Sequence, residues 1–183
     1  MELVTEARDV SEKFVKPLGR RWQHVQAVAA RARELEHAVS ESERSALVAA
    51  AWLHDIGYAP EIGHTHFHPL DGARYLKSKN WPDVVVNLVA HHSGARFEAE
   101  QRGMSAELAE FPFEDSALLD TLVAADLTTG PDGARVSYDE RIAEILSRYP
   151  SSDPVHQTWL LAGPVIREAI ERTEARLRDG HPR

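Results

Sequence analysis

Cysteine is absent from the chain, which excludes disulfides and thiolate metal sites and leaves histidine and carboxylate as the available strong ligands. No apolar run approaches the roughly 18 residues of a membrane span, and the opening residues, MELVTEARDV, lack the pattern of a signal peptide. Both absences lead us to expect a cytoplasmic protein with no membrane partner. Basic residues are in the minority. A net charge of -8 speaks against a nucleic-acid groove, while leaving room for a small anion held by local cations. No stretch alternates apolar and polar residues convincingly, and there is no repeat or low-complexity segment. A plausible Ser-His-Asp or Cys-His catalytic set is missing too.

What is present reads as helix throughout. At 183 residues the chain suits one domain, expected to span 1–183 with a sizeable core. The stretch Leu47 to Tyr58, LVAAAWLHDIGY, is an Ala-rich apolar helix that delivers His54 and Asp55 into protein interior, and Gly57 and Pro60 end it. Before it, a short amphipathic helix is predicted over about 3–15 and a longer one over about 20–39, which carries His24. Ser40 with Glu43 fits a capping box at the start of the central helix. The short join between the second and central helices implies an antiparallel pair, which would bring His24 near His54. Residues 61–67 read as loop; His68-Pro69 and Trp81-Pro82 each open a helix, the second leading to His91-His92 and ending at Ser93-Gly94. The segment from Ala99 to Glu110, polar and weakly periodic, reads as a surface excursion. Helices are then predicted over 116–127, carrying Asp126, and over 137–149 and 154–178, the C-terminal helices of 137–179 packing on the core. The expected fold class is all-α, a single-domain helical bundle.

Several of the ten histidines cluster where they are expensive to bury. His24, His54-Asp55, His91-His92 and Asp126 sit on at least four helices, each beside apolar residues. A buried imidazole or carboxylate needs a partner or a metal. Nitrogen and oxygen donors without sulfur suit one or two divalent ions of the Fe, Mn, Co, Ni or Zn type, and an aspartate can bridge two of them. Arg20, Arg21 and Arg96 lie near these groups in sequence and offer the donor fork that binds phosphate. Asp71, one turn after His68, could orient a ligand. His64 and His66 read as loop residues, and His37, His156 and His181 as surface ones.

His24, then His54-Asp55, then Asp126 resembles the H…HD…D signature of the HD superfamily, all-helical metal-dependent phosphohydrolases, and HDIG at 54–57 is a form found in many members. His68-Pro69-x-x-Gly72-Ala73 followed by His91-His92 is similar to the extra histidines of its binuclear branch, which includes the HD-GYP cyclic-dinucleotide phosphodiesterases. These motifs lie within 24–126. Position 58 is Tyr where HD-GYP proteins have Lys, and no GYP follows, so the broader class alone is carried. The resemblance implies a first metal on His24, His54, Asp55 and Asp126, with Asp55 bridging to a second on His68 and His91. His92, Arg21 and Arg96 would join Asp55 as catalytic groups. The expected activity is hydrolysis of a small phosphorylated molecule, such as a nucleotide, by a metal-activated water. Two alternatives share the ligand set or the ligand: a mixed-valent di-iron oxygenase, and a non-catalytic nucleotide- or metal-binding regulator.

Overall fold

In the computed structural model, which describes residues 2–180, helices account for the regular structure, and the one β feature among those residues is an isolated bridge between Thr129 and Arg135. His181 lies outside the described residues. The helices are α1 (Glu2–Val15), α2 (Arg20–Leu35), α3 (Arg44–Leu53), α4 (His68–Ser78), α5 (Asp83–His91), α6 (Ala95–Arg102), α7 (Ser105–Leu108), α8 (Ala117–Leu127), α9 (Tyr138–Arg148) and α10 (Pro154–Asp179). None of these is long and apolar enough to cross a membrane.

Helix α3 is the hub. Ala46 to Ala51 and Leu53 are all buried, as its nearly uniform apolar sequence requires. It packs against α1, α2, α5 and α8, and the small alanines let those helices come close. At its end the chain tightens into a 3-10 turn, Ile56–Tyr58, on which α4 is seated. Gly57 makes that seat possible: a Cβ there would stand 2.0 Å from the His68 carbonyl oxygen and 2.8 Å from the Gly72 amide. The glycine of HDIG is therefore the packing surface for the helix that starts at His68.

Two elements differ from the sequence reading. The segment expected as a surface excursion forms α6 and α7, with Ala99, Leu108 and Phe111 buried. Gly94 and Gly103, both left-handed, bracket α6 and permit a short helix that periodicity alone does not signal. The second helix also stops at Leu35, and 3-10 turns at 36–38 and 41–43 carry the chain into α3.

The C-terminal helices close the bundle. Helix α10 buries a stripe at Thr158, Ala162, Ile166, Ile170 and Thr173 and packs on α8, α6 and α9. Asp120 on α8 is buried and accepts hydrogen bonds from Arg172 at 2.8 and 2.6 Å and from Arg176 at 2.8 Å, which straps α8 to α10. Helix α9 starts with a reciprocal cap: the Ser137 amide donates to the Glu140 carboxylate (2.7 Å) and the Glu140 amide to the Ser137 hydroxyl (3.2 Å). The Tyr138 hydroxyl then donates to the Gly163 carbonyl at 2.7 Å, fixing α9 against α10.

Candidate metal centre

Three of the four buried histidines share one local rule. His24, His54 and His92 are held by a carbonyl on Nδ1 while Nε2 faces the interior. His24 Nδ1 donates to the Gly130 carbonyl (2.9 Å), His54 Nδ1 to Ala51 (2.8 Å) and His92 Nδ1 to Val89 (2.7 Å). A carbonyl can only accept, so these contacts put a hydrogen on Nδ1 and make Nε2 the lone pair of the neutral ring; His24 presents that lone pair once its Nε2 gives up the hydrogen it donates to the Asp126 carboxylate. That is the arrangement in which imidazole binds metal, with its other nitrogen oriented by a hydrogen bond.

Those Nε2 atoms converge. His24 Nε2 lies 3.0 Å from Asp126 Oδ1, and His54 Nε2 lies 3.9 Å from the same oxygen. The His24 and His54 rings are 5.5 Å apart, so the expected approach of α2 to the end of α3 is met. His68 Nε2 lies 3.2 Å from His92 Nε2 and 3.5 Å from Asp55 Oδ1. The other oxygen of Asp55 lies 3.6 Å from His54 Nε2. Two donor groups result, His24–His54–Asp126 and Asp55–His68–His92, each with its donor atoms within 4.8 Å of one another, and Asp55 borders both. Either group is compatible with a divalent ion. The fit has an independent sign: His54 Nε2 is buried without a hydrogen-bond partner, a cost that a bound cation would remove.

Neighbouring groups set the charge states. Burial alone would raise the Asp55 carboxyl, but the His54 ring and the Arg21 guanidinium hold it well below the usual range. Arg21 Nη1 donates to Asp55 Oδ2 at 2.7 Å. Asp126 is likewise lowered against its burial, by the hydrogen bond with His24 and the nearby His54. The Ser93 hydroxyl also donates to Asp126 Oδ2, and Ser93 adopts a left-handed backbone (φ 53°) to do so. Burial lowers the pKa of both His68 and His92, which favours the neutral ring that a metal requires. His24 is raised despite its burial, because Asp126 bonds to it.

Most of the residues singled out from sequence meet here: His24, His54, Asp55, His68, His92, Asp126 and Arg21 all line or underlie one cleft of about 640 Å3. His91 does not. Its Nε2 donates to the Phe111 carbonyl (2.9 Å), its ring packs on Phe113, and it lines a separate hollow of about 280 Å3. His92 occupies the position expected for His91, because α5 ends at His91 and the extended backbone of His92 (ψ 156°) turns its ring inward. Arg96 stands apart as well, exposed, its guanidinium over Phe97 (4.8 Å) and Phe113 (4.7 Å). The Asp71 carboxylate accepts the amides of His64 and Thr65 at 3.0–3.1 Å and holds the loop before α4. Of the remaining histidines, His66 reaches the cleft, His37 is exposed, and His156 is partly buried with Nδ1 on the Tyr149 carbonyl.

Other residues of the cleft had no sequence signal strong enough to single them out. Tyr58 stacks on His68 (4.0 Å between centroids, 19° between planes), and Arg21 covers its other face at 3.4 Å. This column holds a candidate ligand and a candidate anion donor together. Ser93, Arg141 and Arg148 also border the cleft.

A family model described as HD domain matches residues 21–128, well over half of the chain and the whole span of the candidate ligands. No curated protein and no solved structure matches the chain.

Proposed function

The chain belongs to the HD domain family, and on that premise we propose that it is a binuclear metal-dependent phosphohydrolase acting on a small phosphorylated molecule. The observation that carries this reading is the meeting of two donor groups at Asp55, with His54 Nε2 unpartnered between them. His24, His54 and Asp126 would hold one ion, and Asp55, His68 and His92 the other, with Asp55 reaching both. Bound there, divalent ions supply a water acidified towards neutrality and offset negative charge on phosphoryl oxygens.

The chain's own residues do the rest. The Nδ1 contacts hold three imidazoles with Nε2 turned inward before any ion arrives, which removes a reorganisation cost. Ser93 fixes the rotamer of Asp126. Arg21 offsets the Asp55 charge with one nitrogen and keeps further N–H donors for a substrate anion at the cleft mouth. The absence of a nucleophilic Ser or Cys set in the sequence fits chemistry in which water attacks directly.

The test is metal analysis of protein purified with and without oxygen, followed by a phosphoester panel with Mn or Co under anaerobic conditions in 18O-labelled water. Two ions per chain and phosphate labelled from water are expected. Turnover that requires iron and dioxygen, with label arriving from the gas, would refute the hydrolase; so would protein that takes up no divalent metal.

A further inference from the structure

Part of the cleft wall comes from α9 and the start of α10, outside the residues that match the family. Arg141, Ile145 and Arg148 recur at i, i+4 and i+7, so one face of α9 looks into the cleft, and Tyr149 joins it from the extended residue after the helix. Val155 and Trp159 of α10 extend that wall with apolar surface. The buried Tyr138 and its bond to Gly163 hold this face in place.

Arg141 is the unusual member. It is only 8% exposed, yet its Nε has no hydrogen-bond partner. Its Nη1 donates to Glu144 Oε2 at 2.7 Å, and Arg148 bonds the same carboxylate at 3.0 Å. Two guanidinium groups thus share one negative charge, and a buried cation left short of partners is costly. The other acids of the cleft have partners of their own, although the Arg141 charge also reaches Asp126. Asp55 and Asp126 belong to the His/Asp centre, Glu98 pairs with Arg102 at 2.6 Å, and Asp153 caps α10 through the Val155 amide at 2.8 Å. In a chain of net charge -8, this wall sets two arginines on the single carboxylate of Glu144. The cleft of about 640 Å3 is of the size that encloses a whole small organic molecule. A lone phosphate at the centre would leave most of it empty.

We propose that the α9 face is a second anion subsite, and that the substrate is a phosphate ester carrying an additional phosphate group, held by Arg141 and Arg148 while the scissile phosphate lies at the His/Asp centre. This rests on the phosphohydrolase reading. Arginine suits the role because its fork of donors matches phosphate oxygens two at a time. Ile145, Tyr149 and Trp159 would contact the uncharged body between the two anions.

The test compares adenosine 5′-monophosphate with adenosine 3′,5′-bisphosphate as probes, by calorimetry on the full chain with and without Mn. The wild type should bind the bisphosphate at least about tenfold more tightly, the factor expected of one charge-assisted contact. That preference should shrink towards unity in Arg141→Gln and Arg148→Gln and survive in part in Arg141→Lys. Equal binding of the two probes by wild type, or a preference that persists in both glutamine variants, overturns the subsite. Arg148, with a side chain 43% exposed, can be changed without threatening the fold, so its variant decides if Arg141→Gln does not fold. Failure of the hydrolase reading looks different: Mn then leaves monophosphate binding unchanged, while the ratio of the two probes still reports on α9.

Discussion

Replacing the two adjacent histidines one at a time distinguishes what the tertiary structure says from what the order of residues suggests. His92 Nε2 lies 3.2 Å from His68 Nε2, in the group that includes Asp55, whereas His91 Nε2 is bound to the Phe111 carbonyl at 2.9 Å. In His92→Ala one of three donors of the second group disappears. Loss of a partner that merely orients a ligand weakens metal binding by about 10- to 100-fold, and loss of a donor itself should exceed that. The second ion should vanish from stoichiometric titrations while the first, on His24, His54 and Asp126, remains. In His91→Ala both ions should stay. That variant loses one neutral hydrogen bond, about 1 kcal/mol, and leaves the Phe111 carbonyl unpaired. The edge contact with Phe113 is worth less than usual because that ring is 44% exposed. A cost of about 1–2 kcal/mol and a fall in melting temperature of roughly 2–8 °C follow for a chain of this size. Metal content by mass spectrometry and melting by circular dichroism read the two effects separately. An ion lost from His91→Ala and retained in His92→Ala would refute the assignment.

Gly57→Ala should displace the start of α4, because the new Cβ would meet the His68 carbonyl oxygen at 2.0 Å; metal titration should show the second ion weakened more than the first. Asp120→Ala removes the strap between α8 and α10 and leaves Arg172 and Arg176 without it. Their side chains are 41% and 20% exposed, so the cost is screened to about 1–3 kcal/mol, read as a lower urea midpoint with an unchanged slope. In metal-free protein, NMR titration should place His24 above the usual imidazole pKa near 6.5 and His68 and His92 below it. The signs differ accordingly. Protonating His68 and His92 in acid favours unfolding, so their contribution is lost as pH falls below about 6.5, whereas the His24 contribution is full there and fades as pH rises through its raised folded value. His68 or His92 titrating above His24 would contradict the burial that sets this order.

Residue order alone was enough for the helices with strong periodicity and for the motif residues they carry. An apolar Ala-rich run with no alternating pattern around it reads as a buried helix, so the interior position of His54 and Asp55 followed from Leu47 to Leu53. Reciprocal caps such as Ser137 with Glu140 are local, and so they are legible locally. The choice between His91 and His92 is not local in that sense. It depends on where α5 stops and on the left-handed Ser93 that follows, and periodicity says nothing about a residue just past a helix end. Arg96 and Asp71 show the same limit: both lie close in sequence to candidate ligands, yet one stacks on phenylalanines and the other holds a loop. The α9 wall is the extreme case. Arg141 lies far along the chain from His24, Asp55 and His92, and only the packing of α9 on α10 and of α10 on α8 sets it at the same cleft. Side-chain direction at a helix end and contact between distant segments are settled by how whole helices pack, and no window of the sequence contains that information.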